Sequence, residues 1–140
     1  MTYDPNNIFA RILIDQIPSH KVYEDEYTLA FMDVMPQADG HVLVIPKRPS
    51  RNLLDAEPEV LGALMATVQK MARAARKAFN ADGVLIQQFN EAAAGQSVFH
   101  LHFHVLPRHA GVGLRPHSGK MADQAMLSEH AGRIRAALTD

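Results

Sequence analysis

"GQSVFHLHFHVLPR", residues 95–108, is the stretch that decides the fold of this 140-residue chain. Its three histidines, His100, His102 and His104, alternate with apolar residues, a period of two that is typical of a β-strand. Successive side chains of a strand point to opposite faces, so the imidazoles are predicted to form one row and the apolar side chains another. We expect the apolar row to pack on a helix and the imidazole row to face outward. Pro107, which lacks an N–H group, is expected to help end the strand.

The composition bounds the class of protein. At 47% hydrophobic and 21% charged residues, the chain is predicted to fold as one domain with a core of its own. Its net charge of −1 argues against binding to a nucleic acid polymer. The absence of cysteine excludes disulfides and thiolate metal sites. No apolar run approaches the length of a membrane span and no signal peptide is recognisable, so we expect a cytoplasmic protein without membrane contact.

Apolar periodicity predicts the remaining elements. Further strands are predicted over 20–26, 27–33, 41–46 and 84–90. Helices are predicted over 7–17 and 55–79, the second with Asp55 as N-cap, and a weaker apolar stripe predicts a last helix through Leu127, Ala131, Ile134 and Leu138. Strands that come mostly as neighbours favour an α+β fold, in which an antiparallel sheet carries helices on one face.

Three interpretations of the histidine row compete. The imidazoles could be polar groups on a solvated sheet face, or they could bind a transition metal. The third interpretation is phosphate chemistry, because neutral imidazole is a nucleophile at pH 7 and its neighbours can donate hydrogen bonds to phosphate oxygens. Gly95, Gln96 and Ser97, directly before the row, offer further donors of this kind. We favour the third interpretation.

These residues also carry a resemblance to a known family. The run "HLHFHVL", residues 100–106, together with its flanking segments over residues 6–108, resembles the histidine triad (HIT) superfamily and its Hint-like branch. The resemblance implies a five-stranded antiparallel sheet with a long helix on one face, and a homodimer with a ten-stranded sheet. Residues 1–108 would form the HIT core, and residues 109–140 a tail with a helix in the same single domain.

The resemblance implies a nucleotide hydrolase or transferase that attacks the α-phosphate of a purine nucleotide, typically an adenosine phosphoramidate or ester, and releases the nucleoside monophosphate. His102 would be the nucleophile and would form a nucleotidyl-histidine, with its Nδ1–H held by the carbonyl of His100. His104 would contact the phosphate, and Ser97 would lie beside the leaving group. His41 matches a supporting histidine that pairs with His100.

Binding roles follow from the same resemblance. Asp33 would accept hydrogen bonds from both ribose hydroxyls, and Asn90, Gly95 and Gln96 would contact the phosphate. An apolar slot would take the purine base between Ile8, Phe9, Ile12, Phe31, Val34 and Leu43.

Departures from the family concern metal. Many bacterial members bind structural zinc, but Asn7 and Ala10 stand at the cysteine positions here and His100 alone survives of the ligand set. We therefore expect no metal and no other cofactor. His109, His117 and His130 lie outside the matched motifs and are expected on the surface. Two alternatives to the enzyme stay open, a nucleotide-sensing module without turnover and a histidine-ligated metal site.

Overall fold

The computed structural model describes residues 2–117 and 119–138, and it forms one five-stranded antiparallel sheet with helices. The strands lie in the order β1-β2-β3-β5-β4, which confirms the predicted α+β class. Along the chain the elements are α1 Ile8–Leu13, β1 Lys21–Glu24, β2 Thr28–Met32, β3 Val42–Pro46, α2 Pro58–Ala78, β4 Gly83–Gln87, a 3-10 turn Ala92–Ala94, β5 Phe103–Arg108 and α3 Gln124–Leu138.

The long helix α2 covers one face of the sheet, as predicted. Its buried stripe packs on inward-facing sheet residues, and the stripe of α3 joins the same core cluster. The apolar row of the histidine stretch points into this cluster, which confirms its predicted packing on α2. The residues concerned are Leu64, Val68 and Met71 of α2, Leu127, Ala131 and Ile134 of α3, and Leu101, Phe103 and Val105 of the histidine stretch.

The start of α2 differs from the prediction. The N-cap is Glu57, with Pro58 in the first turn. Asp55 instead accepts hydrogen bonds from the backbone N–H groups of Arg51 and Asn52 at 3.1 and 3.0 Å. Its carboxylate therefore closes the turn that precedes the helix.

Helix α1 lies on the opposite face of the sheet. Phe9 and Ile12 pack there with Phe31 and Leu43 in a second, smaller cluster. The helix begins after Asn7, whose side chain accepts a hydrogen bond from the N–H of Ala10 at 2.9 Å, and it ends at Leu13, earlier than predicted. Helices therefore occupy both faces, and α1 leaves part of its face open.

The histidine strand is shorter than predicted. β5 begins at Phe103, so His100 and His102 lie in the irregular segment that leads into it. Pro107 lies inside β5 and pairs with β4 at Val84, so the prediction that it ends the strand is wrong. The ladder with β3 reaches only Val105, and the missing N–H of Pro107 breaks no bond to β3.

Within the residues that the structure describes, no helix combines the length and the apolar composition that a membrane crossing requires.

Candidate active site

The open part of the α1 face is a cavity of about 540 Å³. One wall is α1, the floor is formed by β2 and β3, and the histidine stretch closes one end. All six residues predicted for the base slot line it, and so do Asp33, Ser97, His102 and His104. His41, His100, Asn90, Gly95 and Gln96 lie outside the lining.

His102 presents a neutral imidazole to this cavity. Its Nδ1 lies 2.6 Å from the carbonyl oxygen of His100. Because a carbonyl only accepts hydrogen bonds, this contact assigns the proton to Nδ1 and leaves the lone pair on Nε2. Burial lowers the pKa of His102 below its ordinary value of 6.5, so the ring is neutral at pH 7. The ring of Phe9 packs edge-on against it at 4.9 Å.

His104 is oriented by His41. The backbone N–H of Gln37 donates to His41 Nδ1 at 3.1 Å, so His41 carries its proton on Nε2 and donates to His104 Nδ1 at 2.9 Å. His104 must then carry its proton on Nε2. Burial lowers the pKa of His41 to about 4 and the pKa of His104 to about 3, so both rings are neutral at pH 7.

The predicted pairing of His41 with His100 is wrong. The side chain of His100 is fully buried and its Nε2 donates to the carbonyl of Pro46 at 2.8 Å. The hydroxyl of Tyr3 therefore donates to His100 Nδ1, at 2.7 Å. Burial lowers the pKa of His100 to about 4. His100 thus acts on the cavity through its backbone, which holds His102.

Gln96 and Asn90 hold the loop before the histidines. Gln96 is buried; its side-chain oxygen accepts from the N–H of Glu91 at 2.7 Å and its amide donates to the carbonyl of Arg51 at 2.8 Å. Asn90 accepts from the N–H of Leu53 at 2.9 Å. These side chains are committed to the protein, in contrast to their predicted contacts with phosphate.

The backbone donors expected in this loop are also in use. The N–H groups of Gly95 and Gln96 donate to the carbonyls of Ala92 and Glu91 at 3.0 and 3.1 Å. Ser97 is the predicted loop residue that lines the cavity, and its side chain is exposed.

An ion pair that the sequence analysis missed fixes the same loop. Arg51 donates from Nε and Nη2 to the two carboxylate oxygens of Glu91, each at 2.8 Å. Glu91 has a φ of 73°, a backbone conformation that favours glycine. The side-chain hydrogen bond from Arg51 lowers the pKa of the Glu91 carboxyl. A bidentate ion pair thus holds this strained residue at the entrance of the loop.

Asp33 lies on the cavity wall between two imidazoles. It is 5% exposed, and its Oδ1 accepts from the N–H of Met35 at 2.8 Å. Its Oδ2 lies 3.5 Å from His41 Nε2, and Oδ1 lies 3.5 Å from Nε2 of His117. The hydrogen bond from Met35 holds the carboxylate in place, and the two imidazoles flank it.

Asp33, His41 and His104 also form a candidate metal cluster, since their ligand atoms lie within 4.8 Å of one another. The hydrogen bonds argue against that use. His41 accepts from Gln37 on Nδ1 and donates from Nε2 to His104, so both facing nitrogens are already committed to each other. A metal would require the proton to leave His41 Nε2 and the bond from Gln37 to break.

The tail contributes residues to the cavity. The backbone N–H of Arg115 donates to the carbonyl of Gln37, and the backbone N–H of Ala122 donates to the carbonyl of Val34, each at 2.8 Å. These bonds tie the tail to the loop after β2. His117 is exposed as expected but lines the cavity, a position that the sequence analysis missed. Met121 and Gln124 from the tail, and residues 17–20 from the link between α1 and β1, line it too.

The two other tail histidines lie elsewhere. His130 is 6% exposed and packs edge-on against the ring of Phe79 at 5.0 Å, so its predicted surface position is wrong. It stands on the stripe of α3 that faces α2, and burial follows from that position. His109 is half-buried, with its Nε2 2.9 Å from the carbonyl oxygen of Phe79.

Known proteins share the fold and much of the sequence of this chain. A crystal structure of a Hit-like protein involved in cell-cycle regulation from Bartonella henselae superposes with a TM-score of 0.92 at 54% identity, over 97% of this chain and 99% of that one. Adenosine 5′-monophosphoramidase HNT1 of Saccharomyces cerevisiae is 38% identical over 76% of this chain and 65% of its own length. Adenylylsulfatase HINT3 of Arabidopsis thaliana is 36% identical over 84% of this chain and 63% of its own length.

The family model described as the HIT domain matches residues 15–111, which span all five strands and the histidine row. The chain therefore belongs to the HIT family.

Proposed function

We propose that this protein is a nucleotide hydrolase or transferase that attacks the α-phosphate of a purine nucleotide, typically an adenosine phosphoramidate or ester. The observation that carries the proposal is the imidazole of His102, neutral and with its Nε2 lone pair at the wall of the cavity. Two relatives in the family, named as an adenosine 5′-monophosphoramidase and an adenylylsulfatase, support the substrate class.

The cavity suggests how such a nucleotide binds. The base packs against the apolar wall of the cavity to which Phe9 of α1 and Phe31 of β2 contribute, and the rings of these two residues contact each other edge to face at 5.4 Å. The ribose hydroxyls donate to Asp33. The phosphate lies against His104, whose Nε2–H donates to a phosphate oxygen, and the leaving group points to Ser97. Asn90, Gly95 and Gln96 serve this site by holding the loop in shape.

The reaction proceeds in two displacements. His102 Nε2 forms a bond to phosphorus while the bond to the leaving amine breaks, and the amine takes up one proton from solvent on the side of His104 and Ser97. The product is a nucleotidyl-histidine whose Nδ1–H still donates to the carbonyl of His100. Water then attacks phosphorus, the bond to His102 breaks, and one proton returns to solvent. Charge on the phosphate is stabilised by the Nε2–H of His104.

The test replaces His102 with Ala. Turnover of adenosine phosphoramidate should fall at least about a thousandfold, as is usual on loss of a nucleophile, while AMP binding and the thermal midpoint stay close to wild type. Acid-quenched reactions of the wild type, measured by intact-mass spectrometry, should show one added nucleotidyl group. The matched control is His109→Ala, a histidine outside the cavity, which should turn over normally. Near-normal hydrolysis by the His102 variant would refute the assignment.

The alternatives make different predictions in the same experiments. A nucleotide-sensing module would bind AMP without turnover and without an added mass. A histidine-ligated metal site would show a stoichiometric transition metal on elemental analysis of the purified protein.

We also propose that the protein is a homodimer in which the sheets of two copies join. β4 is an edge strand of the sheet, and its Ile86 is 40% exposed. An edge strand with an exposed apolar side chain is a template for pairing with another chain. Pairing of two β4 edges would give one sheet of ten strands.

A further inference from the structure

The segment before α1 is tied to the residues that hold His102. The hydroxyl of Tyr3 donates to His100 Nδ1 at 2.7 Å, and the two rings contact each other edge to face with their centroids 5.7 Å apart. Arg51 Nη1 donates to the carbonyl of Thr2 at 2.8 Å, which anchors the residue next to Tyr3. Tyr3 lies outside the cavity lining, so its effect on the site must pass through His100.

The bond from Tyr3 completes the hydrogen bonding of a buried ring. Because the carbonyl of Pro46 only accepts, His100 carries its proton on Nε2, and its Nδ1 must accept. Burial raises the pKa of the Tyr3 hydroxyl above its ordinary value of 10.0, so the hydroxyl keeps its proton and can donate it at neutral pH. His100 is fully buried, and removal of the hydroxyl would leave its Nδ1 as a buried acceptor without a donor, which destabilises this position of the ring.

The position of His100 decides where the proton of His102 lies. His102 Nδ1 donates to the carbonyl oxygen of His100 at 2.6 Å, and this bond keeps the lone pair on Nε2. The carbonyl precedes β5, so the strand ladder does not fix it. Its peptide unit is anchored by the N–H of Leu101, which donates to the carbonyl of Ser50 at 2.8 Å, and by the imidazole of His100. When one anchor is loosened, the carbonyl can shift, and a hydrogen bond weakens steeply as its geometry departs from the ideal.

We propose that Tyr3 is a positioning residue that, by holding His100, keeps His102 in the tautomer with the proton on Nδ1. The consequence for catalysis rests on the proposed function. A ring whose proton lies on Nε2 has no lone pair there and does not attack phosphorus. Loss of the Tyr3 hydroxyl therefore lowers the fraction of molecules that are ready to react, while the groups that bind the nucleotide stay as they are.

The kinetic test is Tyr3→Phe, which removes the hydroxyl and keeps the ring. For hydrolysis of adenosine phosphoramidate, kcat should fall roughly threefold to tenfold, the usual effect of one neutral hydrogen bond. The Kd for AMP, measured by calorimetry, should not change. The matched control is Tyr27→Phe, at a tyrosine that is 61% exposed, which should keep the wild-type kcat. A lower thermal midpoint with an unchanged kcat would show a purely structural role and overturn the proposal, as would an AMP affinity that falls as far as kcat does.

A spectroscopic test does not depend on turnover. Long-range ¹H–¹⁵N correlation spectra at neutral pH report the tautomer of each imidazole, and the signals of His102 are assigned by their loss in His102→Ala. In Tyr3→Phe the two nitrogen shifts of His102 should move toward each other as the second tautomer becomes populated, while those of His104, which His41 orients, stay in place. Unchanged His102 shifts would overturn the proposal.

The two tests together separate this inference from the proposed function. If Tyr3→Phe changes the tautomers of His102 but the wild type turns over no phosphoramidate, the proposed reaction fails and the positioning role of Tyr3 stands. If the wild type reacts through His102 and neither kcat nor the His102 shifts respond to Tyr3→Phe, the positioning role alone is wrong.

Discussion

Three buried imidazoles, those of His41, His100 and His104, share one protonation state in the folded protein. Each is held neutral by burial, with pKa values of about 4, 4 and 3 against an ordinary value of 6.5. Each neutral ring both accepts and donates a hydrogen bond, or stands ready to donate one into the cavity. Protonation of any of them would put two donors where the protein offers one acceptor.

The stability of the fold should therefore fall in mild acid. Below about pH 6.5 the unfolded chain binds protons at these histidines while the folded chain does not. The stabilisation is complete above pH 6.5 and is lost as the pH falls toward about 4. Each histidine contributes a slope of up to about 1.4 kcal/mol per pH unit.

Urea unfolding between pH 8 and pH 5 measures this effect. We expect a free energy of unfolding that is flat above pH 7 and falls steeply below pH 6.5, a window in which ordinary carboxylates do not titrate. A free energy that stays constant down to pH 5 would show that the rings are not held neutral.

At the scale of elements, the turn before β3 meets the end of α2 at Gly40. Its φ is +83°, and a Cβ placed there would lie 2.6 Å from the ring of Phe79. Both the backbone conformation and the space require glycine. His41 follows directly, so this packing also fixes the residue that orients His104.

Gly40→Ala should destabilise the fold by roughly 1–3 kcal/mol, from the strained backbone and the displaced ring. The matched control is Gly62→Ala in the exposed face of α2, where a Cβ meets nothing within 4 Å. That change should stabilise the fold by roughly 0.5–1 kcal/mol, because alanine is the better helix former. Thermal unfolding of both variants gives the comparison. Equal effects in the two glycines would contradict the packing role of Gly40.

The elements show what periodicity can and cannot predict. Alternation and apolar stripes located every strand and both long helices, because burial against a core imposes those periods. They extended β5 too far, because the segment before Phe103 alternates like a strand while the backbone N–H of Leu101 donates to the carbonyl of Ser50 at 2.8 Å, outside the ladder. The alternation of residues in a short stretch of sequence does not reveal such long-range partners.

Some residues of the candidate site could be predicted from the sequence, and others could not. The resemblance to a family supplied the residues around the phosphate and the base slot. Tyr3, Ser19 and His117 come from segments without a period, and tertiary contacts alone bring them to the site. The partner of His41 was missed for the same reason, since His104 lies 63 residues away in the sequence.

At the scale of the whole molecule, the proposed dimer can be measured. Light scattering after size-exclusion chromatography should give twice the chain mass of 15.5 kDa. A charge on the exposed edge, as in Ile86→Lys, should shift the mass toward one chain, because lysine on an edge strand opposes pairing. A wild type that runs at the mass of a single chain would contradict the proposal.

The ion pair between Arg51 and Glu91 fixes the backbone of the loop without help from the alanine side chains that follow Glu91. The ion pair lies outside the cavity lining. The side chains of the three alanines in the turn Ala92–Ala94 are exposed, and none of them is buried in the core. Substitutions at these three positions should therefore change the surface of the loop and leave its backbone and the hydrogen bonds around His102 in place.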